Sequence, residues 1–296
     1  MNPLPRLRQL AAGGGFIAPF TIVWVLGVLV PVLGIVVFSF FRSRGVTFIF
    51  EPTLAAYEST FSHAGWQVLL RSARITATVT LIELVVAYPF ALWLAKSARS
   101  PLLKLATFTA LTVPFFLSPT ARTLVWRVIL GRNGLINTVL LEIGIIDEPL
   151  DWLLFSETAV HFGFLGPYFP SMVWPIFLSI TLIDDELIEA SRDLGGGRFH
   201  TFWHVILPLS LPGIVAGMIF TFVPMMGDTV VPQTVGGGAV LMLSSEINSL
   251  FSVMNYPVAA AVSTFALLFV VLFQFVLWLV LQRSGGIAHV FESLRR

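Results

Sequence analysis

The sequence predicts an all-α integral membrane protein with six transmembrane helices and a polar cytoplasmic loop between the last two. Three observations carry that prediction. Of 296 residues, 56% are hydrophobic and only 11% are charged, whereas a soluble domain carries about 25% charged residues. A bilayer core about 30 Å thick needs roughly 20 apolar helical residues per crossing. Six runs reach that length: about 16–41, 70–95, 102–130, 158–183, 212–234 and 257–281. Their length and continuity exclude a β-barrel, whose strands are short and alternate.

Taken in order, the first run follows Arg6 and Arg8 and far exceeds the roughly 7–15 apolar residues of a cleavable signal, so it is read as an uncleaved first span. The second holds Glu83, Tyr88 and Pro89; the third holds Pro114, Pro119, Arg122 and Trp126; the fourth holds Pro170 and Pro175. The fifth breaks at "FVPMMGDTVVPQTVGGG", 222–238, around Asp228. Each proline removes a backbone donor and bends its helix, which is tolerable only against protein or a water-filled path. No linker, low-complexity segment or repeat divides the chain, so 1–296 reads as one transmembrane domain.

The bases set the orientation, because cytoplasmic loops are enriched in Lys and Arg. Placing both termini in the cytoplasm keeps Arg6, Arg8, Lys96, Arg99, Lys104, Arg192, Arg198, Arg283, Arg295 and Arg296 inside, and leaves Arg42, Arg44 and Arg132 outside. The outer loop 133–157 is acidic (Glu142, Asp147, Glu148, Asp151), which suits either docking of an external protein or plain solvation. The formal net charge of +1 excludes an electrostatic nucleic-acid binder, which needs a basic face. The absence of cysteine excludes disulfides, thiol catalysis and cysteine-ligated metal.

The loop 184–211 faces the cytoplasm in this arrangement. "IDDELIEASRDLGGG" reads as a short helix: Asp184 or Asp185 caps its start, Arg192 suits the negative end of its dipole, and Gly195 stops it in a left-handed conformation. A second helix, "RFHTFWHVIL", carries Phe199, Phe202 and Trp203; Pro208 is expected to end it and Pro212 to open the fifth span. Two short helices at a glycine corner make a projecting elbow. His200 and His204 share one helical face, but a closed metal site wants four ligands, so packing rather than metal is expected there.

These residues carry a resemblance. Glu189-Ala190-Ser191, Gly195, Phe202, Val205 and Leu207-Pro208 resemble the "EAA" loop of the permeases of ABC importers, with Ser191 for an alanine and Val205 for an isoleucine as departures. "TVPFFLSPTARTLVWRVILGRNGLIN", 112–137, and "LPGIVAGMIFTFVPMMGDTVVPQTVGGG", 211–238, are similar to spermidine/putrescine-type permeases, in the form of the first of their two permease subunits. The resemblance implies a six-helix permease in a bacterial inner membrane, importing a polyamine or similar small solute. It implies as partners a second, non-identical permease, an ATPase dimer and an external solute-binding protein. Glu189, Ala190, Ser191, Gly195, Phe202, Leu207 and Pro208 would then be the coupling surface for the ATPase. The chain itself would be no enzyme and bind no cofactor, ATP and Mg being held by the ATPase. In keeping with that, no G-x-x-x-x-G-K-[ST] occurs in it.

The polar residues inside the spans leave two readings. Glu83 lies twelve residues from Arg71 and Arg122 ten from Arg132, about 18 and 15 Å along their helices. The matched depths suit a Glu83–Arg122 ion pair that relieves two costly charges. Alternatively Glu83 or Asp228 faces the pathway and meets a cationic solute, with Tyr88, Trp93 and Trp126 offering aromatic faces. An ion-coupled secondary transporter would use such acids too, but has no use for the elbow.

Overall fold

A computed structural model describes residues 19–283 apart from 45, 46, 62 and 99. Arg6, Arg8, Arg99, Arg295 and Arg296, used above, lie outside the described residues. Six helical stretches are long and apolar enough to cross a membrane: Pro19–Phe38, Gly65–Ser97, Pro119–Glu142, Glu157–Thr181, Arg198–Gly227 and Tyr256–Arg283. Two compact units are distinguished: Met1–Trp66 with Ile247–Phe265, and Gln67–Glu246 with Ala266–Arg296.

In the first unit, helix α1 (Pro19–Phe38) is apolar all round and buries almost nothing, as a helix bathed in lipid does; Phe20 and Val23 are more than two-thirds exposed. Two three-residue strands follow, β1 (Arg42–Arg44) antiparallel to β2 (Thr47–Ile49), a small hairpin that sequence reading missed. Helix α2 (Ala55–Thr60) ties back through Tyr57, whose hydroxyl meets Ser39 Oγ at 2.6 Å. The rings of Tyr57 and Phe61 stand edge-on to Phe265.

The second unit holds most of α3 (His63–Leu92), then α4 (Pro101–Phe116), α5 (Pro119–Leu130), α6 (Leu135–Glu142) and α7 (Glu157–Thr181). The elbow is α8 (Asp185–Asp193) and α9 (Arg198–Thr201). Beyond it lie α10 (Leu207–Gly227), α11 (Val230–Val235), the start of α12 (Leu243–Ser252) and, from Ala266 on, the rest of α13 (Tyr256–Arg283), the intervening residues belonging to the first unit.

The run 102–130 is not one helix. It stops at Phe116 and restarts at Pro119. The residue before a proline is pushed out of helical geometry, and Ser118 accordingly sits extended at ψ 146° while its hydroxyl caps Ala121 N–H at 3.2 Å. Ser100-Pro101 starts α4 by the same device, and Ser156 caps α7. The fifth span breaks within 222–238, as its sequence suggests: its helix ends at Gly227, and Asp228 leads into the short α11.

The elbow also joins its span differently from expectation. Pro208 does not end the second short helix. A π turn over Phe202–Ile206 carries α9 directly into α10, with the Leu207 N–H bonded to the Phe202 carbonyl. The lengthened i→i+5 pattern leaves Pro208 in the first turn of the resumed α-helix, where its missing N–H costs little.

The core of this unit lies where α7 crosses α10. Gly213 makes that crossing close: a Cβ there would stand 2.4 Å from Ser179 Cβ and 2.5 Å from the Pro175 carbonyl, so only glycine fits, as at small-residue seams of membrane helices. Phe164, Met225, Val231 and Val235 fill one buried cluster, and Tyr88, Met172, Ile176 and Ile214 fill another.

Candidate functional site

The elbow is built from local signals. Helix α8 follows Asp184, which holds the cap position without a capping hydrogen bond, so neither aspartate caps by its side chain. Asp185 instead receives Lys96 Nζ at 2.6 Å, and the same ammonium donates to the Ile183 carbonyl at 2.6 Å. Lys96 therefore pins the end of the second span to the root of the elbow. Its hydrogen bond and charge hold the Asp185 carboxyl below the usual carboxylate range.

At its other end α8 closes with Gly195 at φ +85°. The Gly195 N–H bonds to the Arg192 carbonyl and the Gly196 N–H to the Ser191 carbonyl, both at 2.9 Å. That pair of bonds is the Schellman arrangement, which needs a left-handed residue where Gly195 stands. Ser191 contributes more than its backbone: its hydroxyl meets Thr201 Oγ1 at 3.0 Å and ties the two arms together. An alanine at 191 could not do this, so the departure from the "EAA" pattern has a structural use.

Around that frame, Glu189 and Ala190 are exposed. Leu194 is 90% and Phe199 76% exposed, with Trp203 half exposed beside Phe199. The inner side of the elbow is anchored: Phe202 stands edge-on to Tyr88 at 5.7 Å, and the Tyr88 hydroxyl meets Ser210 Oγ at 2.8 Å. Leu207 also packs against this buried cluster. Tyr88 thus braces the elbow against the second span; it is buried, not a face open to solute. His200 and His204 stack at 4.1 Å, and no group of three or more metal-ligating side chains occurs among the described residues.

The second polar region lies inside the spans. Tyr168 of α7 donates to Asp228 Oδ2 at 2.8 Å. The other carboxylate oxygen of Asp228 accepts the N–H groups of Val230 and Val231 at 2.7 and 3.1 Å, and its carbonyl accepts the Ser244 hydroxyl at 2.6 Å. Asp228, one residue before the N-cap Thr229, thereby caps the first N–H groups of α11 with its side chain, both carboxylate oxygens being engaged. Trp126 stacks on Phe162, its indole nitrogen against Gly166.

Glu83 and Arg122 both lie within electrostatic reach of the Tyr168 hydroxyl, yet they make no ion pair in this structure. Arg122 turns to the Pro167 carbonyl at 3.3 Å. Its Nε and both Glu83 carboxyl oxygens are buried without a hydrogen-bond partner. Matched depth along two helices fixed the level of the two groups but not the direction each faces. The ion pairs that sequence reading missed are those of Arg71 and Arg74 with Glu157; Arg132 pairs with Asp151 of the acidic loop at 3.4 Å.

Six spans with a projecting, apolar-faced elbow define a membrane permease of the binding-protein-dependent class, and comparison with known proteins agrees. The chain belongs to the family of inner membrane components of binding-protein-dependent transport systems, which matches residues 87–283. It is similar to the spermidine/putrescine transport system permease protein PotB of Haemophilus influenzae, 34% identical over 238 residues that cover 80% of this chain and 82% of that protein. The PotB of Escherichia coli K12 is 35% identical over 243 residues, covering 81% and 86%. In fold it resembles a chain of the bacterial alginate ABC transporter solved with its alginate pentasaccharide-bound periplasmic protein, with a TM-score of 0.70 at 16% identity, covering 92% and 96%. The chain is a multi-pass inner-membrane permease of an ABC importer. A secondary transporter is not favoured.

Proposed function

We propose that the chain is the first of two non-identical permeases of a polyamine importer, driven through its elbow by an ATPase dimer and supplied by an external binding protein. Both termini lie in the cytoplasm in this reading, and ATP and Mg are held by the ATPase. The substrate class rests on the spermidine/putrescine permeases to which the chain is similar over four-fifths of its length.

The observation that carries the coupling role is the outward face of the elbow. Leu194 and Phe199 are almost bare at a corner far too polar to sit in lipid, with Asp193, Arg192 and Arg198 beside them. Exposed apolar clusters rimmed by charge mark contact surfaces, and burying each such side chain contributes roughly 1.5–3 kcal/mol. Glu189, exposed on the same loop, adds a carboxylate for a base or N–H group of the partner. Closure of the ATPase pair would push this face, and because α9 continues into α10, the push passes straight into a span.

Purification in mild detergent should recover the chain with a second permease and an ATPase, and proteoliposomes of that complex with its binding protein should import spermidine on ATP. A stable homodimer would overturn the two-permease arrangement. Recovery without any ATPase would overturn the coupling role.

A further inference from the structure

Among the acids of the spans, Asp228 is spent on capping α11 and on Tyr168, and Glu157 is held by two arginines. Glu83 is different. It has no exposed surface, and neither carboxyl oxygen has a hydrogen-bond partner. The Thr221 hydroxyl oxygen of α10 is likewise fully buried and unpartnered.

Two contacts place these groups. Thr76 Oγ1 of α3 meets Met226 Sδ of α10 at 3.4 Å, and Tyr88 meets Ser210 at 2.8 Å, so the two helices run antiparallel with Glu83 and Thr221 between the pins. Glu83 is seven residues from Thr76 and Thr221 eleven from Ser210, about two and three full turns, so each points as its pinned neighbour does, toward the other helix. Counted from Met226 and Thr76 the two sit about 7.5 and 10.5 Å in, and counted from Ser210 and Tyr88 about 16.5 and 7.5 Å, so Thr221 and Glu83 differ in depth by about one turn. Around them, Thr76 and Thr80 return their hydroxyls to their own helix, while Arg122 donates one N–H to the Pro167 carbonyl and none to Glu83, its Nε remaining unpartnered.

A buried carboxyl and hydroxyl left without partners cost free energy that apolar groups of the same shape would not. What fits both is a donor with several N–H groups and a positive charge. We propose that Glu83 and Thr221 form a binding site between α3 and α10 for a primary ammonium group of the transported solute, with Glu83 selecting for charge. The site is closed in this conformation and fills when these helices part during the cycle. The proposal rests on the polyamine reading above.

The test uses proteoliposomes of the whole importer with its binding protein, and spermidine as the probe. Glu83→Gln and the near-isosteric Thr221→Val are compared with wild type for uptake per assembled complex, binding-protein-stimulated ATP hydrolysis and unfolding temperature. Glu83→Gln should assemble, unfold at the same or a higher temperature and keep stimulated ATPase activity, yet import spermidine at least about tenfold more slowly. Thr221→Val should show the same pattern with a several-fold loss. Uptake at the wild-type rate in either variant overturns the site. So does a fall in unfolding temperature with uptake lost only in proportion to assembly, which would mark a structural role. If the wild-type complex imports no spermidine at all, the substrate reading itself has failed, and this site falls with it.

Discussion

The elbow and the intramembrane polar layer are both small sets of polar residues in an apolar chain, but they are held together differently. The elbow is made of near neighbours: Ser191 with Thr201, Gly195 with Arg192, all within a dozen residues. The polar layer is made of residues from four helices, Glu83, Arg122, Tyr168 and Asp228, with sequence separations of tens to more than a hundred. Local geometry shapes the corner of the elbow, with Tyr88 and Lys96 of the second span bracing its root, whereas each group in the layer depends on how whole helices rotate. The difference teaches where rigidity and where change are built in.

If the elbow is a rigid local unit, the largest effect should come from breaking its corner. Gly195 sits at φ +85° with open space around it, so Gly195→Val meets conformational strain of about 1–3 kcal/mol rather than collision. The second arm is then misplaced, and uptake in proteoliposomes should fall to background while six spans still insert. Wild-type uptake in this variant would mean the corner is not mechanical. Next, Glu189→Ala leaves the corner intact and removes one carboxylate from the outer face. Uptake and stimulated ATP hydrolysis should fall roughly tenfold, as for loss of one charge-assisted hydrogen bond, with the unfolding temperature unmoved.

The polar layer should answer by stability instead. Tyr168→Phe removes the hydrogen bond to Asp228 but leaves the α11 cap, at about 1 kcal/mol, read as a lower unfolding temperature of the assembled complex. No change there would show that the layer does not hold Asp228 in place. The smallest effect is expected at the root of the elbow. Asp185 is exposed and its carboxyl is held low by Lys96. A lowered carboxyl contributes its tether above its ordinary pKa and loses it as pH falls through the lowered value. Lys96→Met should therefore slow uptake about twofold at neutral pH, and the gap from wild type should close in acid. A gap that widens in acid would assign Lys96 another role.

The same contrast explains what could be read from the sequence. Gly195 was legible because a helix stop is written in adjacent residues. Six runs and their polar interruption were legible because membrane thickness sets a length. The break at Ser118 had its signal, a serine followed by proline, but a proline that kinks and one that restarts a helix look alike until the preceding residue's conformation is known. The Glu83–Arg122 pair failed because depth can be counted along a chain and facing cannot. Asp228 looked like a pathway acid because the break at 222–238 could be read locally, but not that its carboxylate would turn back onto the N–H groups of α11 and the hydroxyl of Tyr168. The π turn left no signal at all, since its bonding pattern is chosen by what Phe202 and Ser210 must both touch.

That last feature has an angular consequence. Phe202 and Ser210 are eight residues apart, which in a plain α-helix sets them about 80° apart around the axis. Both nevertheless grip the one ring of Tyr88. The additional residue taken up by the π turn removes about 100° of winding and brings the two nearly into line. The turn is therefore a fixed phase offset between the elbow and its span. Deleting one residue within 202–206 would shorten the path by only about 1.5 Å yet swing the elbow about 100° around the axis, carrying Glu189 and Phe199 away from whatever they face. Length and phase are separate settings here, and the phase is held by a single tyrosine on a neighbouring helix.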